Sequence, residues 1–444
     1  MEKSIQKHTA VFLLASILLA ASSAAHSQGL EKQWKNPFPS GMDTLTVDFN
    51  SLTLDMVLQL VPRGNSSLRA NRMERNAAGE SVRQANLRPN PELEFEAEGV
   101  GGDMAGFRES EITIALSQEL ELWGQRKARR RVALADAERI EWETRVEDFD
   151  IYTEAKLRFY SLLHAQSRLE LTDKAARLAR EVAEAAGVRV EKGAALASEQ
   201  LLGRLEFERA QREVVLAETE LESARRSLAA LWRGDQRNIG TVIPDPGLET
   251  LPDLASLKSY LKGSREVVRC GFEETGVNGL LHLEKTNRLP SPILSGGYRR
   301  SQADGTCTYL VGVGIPLPLF NRNQGTISSL KAQSDALKSA REQALTNVEA
   351  ELETIHQRLN SLLENRASLR TLILPKAEEA YRSLKRAYEL GRIPYTALLE
   401  GEQTLMEVRF EVNDLDLAMR QEMVALERLL GIDLKDITGN QERE

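Results

Sequence analysis

The chain has 444 residues; 28% of them are charged, only 5% are aromatic, and the formal net charge is −8. Such a composition is typical of long helices and argues against two or three ordinary globular domains. The acidic balance also argues against a nucleic-acid partner.

The first residues predict a secretory signal peptide over 1–25. Lys3 and Lys7 give it a basic start, 10–21 form a short apolar core, and small residues at 23–25 suit cleavage. The apolar core is shorter than the ~20 residues of a membrane-spanning helix. No cysteine lies directly after this core, so we expect no lipid anchor there.

An extended segment, 26–50, precedes the first of two copies of one structural unit, 51–234. A unit that recurs within a chain has to be recognised before any single motif, because it decides the fold class. The elements predicted in the first copy are strands at about 91–101 and 107–118 and helices at about 125–187 and 196–232.

A turn-rich linker, 235–253, leads to the second copy, 254–432, and a C-terminal tail, 433–444, follows it. The two copies are offset by about 200 residues; the turn glycines Gly193 and Gly391 are 198 residues apart. The elements predicted in the second copy are strands at about 291–300 and 306–317 and helices at about 323–389 and 395–430.

The predicted strands alternate between apolar and polar residues. In the first strand Leu93, Phe95 and Ala97 face one way and glutamates face the other, which is typical of a half-buried antiparallel strand. Each strand also has the ~9–11 residues of a tilted membrane strand. A hairpin that covers a soluble core remains the alternative from the strands alone.

The predicted helices carry apolar residues at coiled-coil spacing. The seam of the second copy is Leu345, Val348, Leu352, Ile355, Leu359 and Leu362. A single helix over 125–187 would be ~95 Å long, which suits the wall of a tube. A plain coiled-coil spacer is the alternative.

A glycine-centred turn joins the two helices of each copy. Glycine just past a helix end supplies the left-handed cap, and the tip of so long a hairpin is a place where a partner protein can dock. A turn without a partner is the alternative. The candidate contact residues are Val190, Gly193, Ser198, Tyr388, Gly391, Arg392, Leu398 and Leu399.

The sequence offers no catalytic constellation and no set of metal ligands at helical spacing. We therefore expect neither enzymatic activity nor a cofactor. The two cysteines, Cys270 and Cys307, could form one disulfide, but their predicted places in a helix and a later strand favour two separate thiols.

These elements together resemble the outer-membrane efflux protein family, the TolC-like outer-membrane factors of Gram-negative bacteria. The resemblance covers about 50–432 and is most specific at 312–325, GVGIPLPLFNRNQG, where a strand leads into a helix. That segment resembles the branch that serves heavy-metal resistance-nodulation-division pumps. The segment LWGQRKAR at 122–129 and the Gly391 turn match as well.

The resemblance implies a mainly α-helical protein with a membrane β-barrel part. Three copies would each give four strands to a twelve-stranded barrel in the outer membrane, continued by an α-helical barrel in the periplasm. The implied partners are outer-membrane lipid, a periplasmic adaptor (membrane fusion protein) and an inner-membrane pump of the resistance-nodulation-division class. A periplasmic coiled-coil adaptor or scaffold without a pore is the alternative function.

Two details concern the path of the substrate. If the apolar side of the strands faces lipid, the opposite side lines the pore; the candidate pore-lining residues are Glu94, Glu96, Glu98 and Glu111. Some family members lock the closed tip with an arginine two residues past the turn glycine. This chain has Ile393 there and Arg392 one position earlier, so that lock does not transfer.

Overall fold

The computed structural model describes residues 33–34, 38, 48–100, 110–245 and 251–441. The predicted signal peptide, 1–25, and most of the predicted segment 26–50 lie outside the described residues. The ends of the first two predicted strands that fall within 101–109, and residues 442–444 of the predicted tail, do so as well.

The described chain is mainly helical. In no described range is a helix both long enough and apolar enough to cross a membrane. The helices are α1 Leu54–Gly64, α2 Ser66–Ala85, α3 Gln125–Glu191, α4 Ala197–Ala229, α5 Leu254–Lys258, α6 Arg265–Asn287, α7 Gln324–Ser368, α8 Leu374–Glu389, α9 Tyr395–Leu430 and α10 Leu434–Gln441.

The strands form a four-stranded antiparallel sheet and one short parallel pair. The strands are β1 Ser51–Leu52, β2 Glu92–Glu98, β3 Glu111–Glu119, β4 Thr241–Val242, β5 Ile293–Ser301 and β6 Cys307–Gly314. The large sheet has the order β2-β3-β5-β6, and the pair joins β1 to β4. Each strand of this pair has only two residues, which is too short for an alternating pattern to be recognised in the sequence.

The chain divides into two compact units, and neither coincides with a sequence copy. The helical unit takes its described residues from within 1–70, 145–265 and 346–444. The strand-bearing unit takes them from within 71–144 and 266–345. Each unit thus combines segments of both copies, because the copies pack with one another rather than each forming a core of its own.

In the helical unit the predicted coiled-coil seam is buried. Val348, Leu352, Ile355 and Leu359 on α7 are all core residues. They recur every three or four residues, so they lie along one side of the helix. The polar remainder of α7 is mostly exposed.

The helix predicted over 323–389 is interrupted. Between α7 and α8 the residues Leu369–Ile373 form a π-helix. The cause is Pro375 in the first turn of α8, because proline has no N–H and its ring collides with the carbonyl group four residues earlier. Such π-helical segments are rare and occur mostly as single turns inside α-helices, as this one does.

A buried ion pair fixes α3 to α9 in the helical unit. The Nζ atom of Lys156 donates to both carboxylate oxygens of Glu427 at 2.7 Å, and the backbone N–H of Leu434 donates to Glu427 at 3.1 Å. Both side chains are 4% exposed. Burial raises the pKa of the Glu427 carboxyl, and Lys156 partly offsets that effect.

The start of the described chain is anchored in the same unit. The indole N–H of Trp34 donates to the carbonyl oxygen of Gly263 at 2.7 Å, and the Gln33 amide donates to that of Leu430 at 2.7 Å. The Trp34 ring also packs edge-on against Phe149 at 5.4 Å between centroids. These contacts tie residues 33–34 to α3, to the segment before α6 and to the end of α9.

Candidate functional site

The four-stranded sheet exposes its apolar residues. On one side of the sheet Phe95 is 67% exposed and Tyr309 and Val311 are each 85% exposed, whereas Thr113 on the other side is 5% exposed. A sheet that covers a soluble core would bury these apolar side chains. Exposed apolar side chains on strands of seven to nine residues suit contact with lipid.

The register places the candidate pore-lining glutamates together on the polar side. Glu94 lies opposite Ala115, Glu96 opposite Thr113, and Glu98 opposite Glu111. The structure thus brings all four predicted glutamates to one side of β2 and β3, away from the apolar residues.

A cation that was not among the predicted site residues lies on the same side. Arg299 on β5 lies opposite Thr113 and donates to its Oγ1 at 3.0 Å and to Glu111 at 3.1 Å. It also lies 3.6 Å from a carboxylate oxygen of Glu98. The alternation of β5, which places Arg299 on the same side as Ser295, was a signal that could have found it.

Among the described residues, β2 and β6 each pair with one neighbour only. Both therefore leave one edge of backbone N–H and C=O groups without a strand partner in the described chain. Four strands cannot close on themselves, since even the small barrels in membranes have about eight. The sheet needs strands from another copy or another protein to complete its hydrogen bonding.

The two glycine turns of the helical unit have the same geometry. Gly193 has φ +70° and Gly391 has φ +74°, a conformation that glycine adopts without strain. In the first turn the N–H of Ala194 donates to the carbonyl oxygen of Arg189 at 2.8 Å. In the second, Arg392 donates to Ala387 at 2.9 Å. Both turns are Schellman caps, in which these bonds satisfy the last helical carbonyl groups.

The side chain of Arg189 joins the two turns. It donates to the carbonyl oxygen of Tyr388 at 3.1 Å and to that of Ala194 at 3.3 Å. Arg189 was not among the residues predicted to form the tip. The position equivalent to Arg189 in the second copy is Ala387, so this arginine breaks the internal symmetry, and that difference was the available signal.

The candidate contact residues of the tip divide by burial. Tyr388 and Leu398 are each 1% exposed and belong to a hydrophobic cluster with Tyr395 and Leu405. They support the turns from inside and do not offer a contact surface. The exposed candidates are Gly193, Ser198, Gly391 and Arg392, and the half-buried ones are Val190 and Leu399.

Two further features bear on chemistry. Within the described ranges no cluster of three or more His, Cys, Asp or Glu side chains could hold a metal ion. Both cysteines are free thiols, Cys270 buried and Cys307 exposed, as their predicted separation favoured.

Comparison with known proteins gives concordant results. The family model described as "Outer membrane efflux protein" matches residues 57–234 and 281–432. The cobalt-zinc-cadmium resistance protein CzcC of Cupriavidus metallidurans is 29% identical over 386 residues, which are 86% of this chain and 90% of CzcC.

Solved structures show the same fold. CusC, whose crystal structures are described in terms of folding and transmembrane channel formation, has a TM-score of 0.72 at 17% identity; the alignment covers 90% of this chain and 96% of CusC. The outer-membrane channel OprN has a TM-score of 0.73 at 16% identity, covering 90% and 95%. The predicted fold class is confirmed, and the chain belongs to the outer membrane efflux protein family as an outer-membrane efflux channel.

Proposed function

We propose that three copies of this chain assemble into one passive exit duct. Each copy contributes the four strands of its sheet, which gives a closed twelve-stranded barrel without free edges. The observation that carries the proposal is the exposed apolar side of a sheet with two open edges. Lipid would cover that side, and neighbouring copies would pair with the edges.

The long helices would extend the duct on the periplasmic side of the membrane. Amphipathic helices with buried seams and a polar remainder, such as α7, suit a wall that is wet on its exposed surfaces. The duct itself performs no chemistry in this proposal, so the energy for export comes from a partner pump.

The tip formed by the two turns is the proposed contact with a periplasmic adaptor or with an inner-membrane pump. Support comes from the exposed turn residues and from two exposed leucines beside them, Leu196 at 72% and Leu390 at 61%. Isolated apolar side chains at a rigid tip suit insertion into a partner's groove. Charge reversal at Arg392 is expected to impair export and to leave the trimer assembled.

Heavy-metal cations are the proposed cargo. The support is the relative named for cobalt-zinc-cadmium resistance together with the acidic side of β2. Acidic rings in a pore favour cations. In the proposed arrangement the specificity for one metal resides in the pump rather than in the duct.

The test is reconstitution of the purified full chain. Mass photometry in detergent is expected to give the mass of three copies, and a planar bilayer is expected to show discrete conductance steps. A monomeric, non-conducting rod would overturn the proposal and would favour a scaffold without a pore. Trimers that conduct anions in preference to cations would retain the duct but would reject the metal cargo.

A further inference from the structure

A groove in the helical unit lies between α3, α4 and α9. Its volume is about 280 Å³, close to the lower end of the range for small-molecule pockets. Ala179 of α3, Ala210 of α4, and Leu399, Met406 and Phe410 of α9 supply apolar surface to its lining.

Glu402 of α9 also lines this groove. The residue is 7% exposed, yet its carboxylate makes no hydrogen bond or ion pair with any other residue of the described chain. An ionised carboxylate that is mostly buried without a partner is costly, because it has lost most of its water and has gained no hydrogen bond in return. Glu402 therefore differs from Glu427, which Lys156 and a backbone N–H satisfy.

The other charged groups near the groove are already paired. Arg209 donates to Glu206 at 2.8 Å, and Lys385 donates to Glu181 at 2.9 Å. Arg168 lies 3.2 Å from Glu220, and Arg212 lies 3.0 Å from Glu213. Because these cations are engaged by other carboxylates, Glu402 has no counter-ion among the described residues.

We propose that the groove binds a small amphipathic organic ammonium ion. Its N–H groups would donate to the Glu402 carboxylate, and its apolar body would lie against Met406 and Phe410. Such a guest supplies the counter-charge that Glu402 lacks and fills the apolar part of the groove. A bare divalent cation fits less well, since it requires several oxygen ligands and only one carboxylate here is free of a partner.

The same geometry makes binding dependent on pH. Burial and the nearby carboxylates of Glu206 and Glu181 raise the pKa of Glu402 to about 7, while Lys385 opposes the shift. The titratable and charged groups that line the groove with Glu402 or act on it are Arg168 and Glu181 from α3, Glu206, Arg209 and Glu213 from α4, Tyr381 and Lys385 from α8, and Tyr395 from α9 itself.

The ammonium ion needs the ionised carboxylate. With a pKa of about 7, the ionised fraction rises about ten-fold between pH 6 and pH 8. The apparent affinity scales with the fraction of protein in the competent state, so it is expected to rise by about the same factor.

The experiment uses the full chain in detergent and 2-phenylethylammonium chloride as the probe, with binding measured by calorimetry at pH 6 and pH 8. Glu402→Gln keeps the shape of the side chain and removes its charge. Glu407→Gln makes the same change on the exposed side of α9, outside the groove, and is the matched control. 2-Phenylethanol is the neutral analogue of the probe.

We expect saturable binding at pH 8, a loss of at least about ten-fold in affinity in Glu402→Gln, and a change below about two-fold in Glu407→Gln. The neutral analogue is expected to bind weakly and equally to wild type and Glu402→Gln. Equal affinity of the probe for wild type and Glu402→Gln, or absence of binding at pH 8, would overturn the proposal.

A folding defect in Glu402→Gln would be visible by circular dichroism, and the wild-type protein then decides alone: affinity that does not change between pH 6 and pH 8 overturns the proposal. The inference does not rest on conduction or on cargo. Failure of the duct appears as a missing conductance, whereas failure of the groove appears in calorimetry, so the two outcomes are distinguishable.

Discussion

The guanidinium carbon of Arg189 lies 4.4 Å from the centroid of the Tyr388 ring, and the same side chain donates a hydrogen bond to the Tyr388 carbonyl oxygen, 199 residues along the chain. Stacking on the ring and the charge-assisted hydrogen bond act together. Together with the hydrophobic cluster that Tyr388 shares with Val182 and Ala186 of α3, this contact holds the turn of the first copy against the turn of the second.

Substitution of Arg189 should loosen both turns. In Arg189→Ala the free energy of local opening is expected to fall by roughly 1–2 kcal/mol at 188–200 and 387–400, because one charge-assisted bond and one stacking contact are lost. Amide hydrogen exchange followed by mass spectrometry measures this. Lys192→Ala, in the exposed part of the first turn, is the control and should leave exchange unchanged. Faster exchange in the first turn alone would show that Arg189 does not join the two.

Any side chain introduced at position 391, in place of Gly391, is expected to strain the backbone. Its φ of +74° costs an L-residue about 1–2 kcal/mol, although no atom lies within 4 Å of an added Cβ. Gly391→Ala should therefore distort the tip only, impairing export in a cellular metal- or drug-resistance assay while the trimer persists on native gels. Gly79→Ala, in the exposed interior of α2, should be neutral or slightly stabilising. Loss of the trimer in Gly391→Ala would place this residue in folding instead.

The pKa of Glu402 predicts how stability varies with pH. It is raised from 4.5 to about 7 in the folded protein, so between these values the folded state binds the proton more tightly than the unfolded state does. Stability from this group is fully present below about pH 4.5 and is lost as pH rises through 7, by roughly 3 kcal/mol in all. The glutamine in Glu402→Gln cannot ionise, so this variant should melt at a higher temperature than wild type at pH 8 but not at pH 4.5.

Thermal unfolding at the two pH values, with Glu407→Gln as the control, measures this gain. A difference between Glu402→Gln and wild type that is the same at both pH values would refute the assignment of the raised pKa to Glu402.

Removing only one partner of the Lys156–Glu427 ion pair should strongly destabilise the folded protein. In Lys156→Met the free energy of unfolding is expected to fall by about 3–5 kcal/mol, because the Glu427 carboxylate stays buried without its counter-ion. Lys156→Met combined with Glu427→Gln should recover most of this loss. Thermal or denaturant unfolding measures both. The exposed pair Arg180 and Glu184, 66% and 65% exposed, gives the comparison: Arg180→Ala should change stability by less than about 1 kcal/mol.

Two sets of substitutions on the polar side of the sheet are expected to shift the ion selectivity in opposite directions. Changing Glu94, Glu96 and Glu98 together to Gln should lower the preference for cations, because the acidic rings of the proposed pore are lost. Arg299→Gln should raise that preference, since it removes the cation that pairs with Glu98 and Glu111. Reversal potentials in a salt gradient across a planar bilayer measure both changes. If neither variant moves the reversal potential, these side chains do not line the conducting path.

The sequence alone determined the features that repeat over short distances. The period of a strand places Glu94 and Leu93 on opposite sides, and the period of a helix produces the seam of α7. The glycines at the tips adopt a left-handed conformation that glycine reaches without strain. The duplication and the segment 312–325 were sufficient to predict the fold class and the family.

Only the tertiary structure decided which distant residues meet. The pairing of β3 with β5 places Arg299 beside Glu111, and the packing of the helices sets Arg189 on Tyr388 and Lys156 on Glu427, while it leaves Glu402 buried without a partner. These relationships depend on how segments hundreds of residues apart align in register, which no local period specifies. The π-helix before Pro375 is intermediate, because the proline is visible in the sequence whereas the way the helix absorbs it depends on the packing around it.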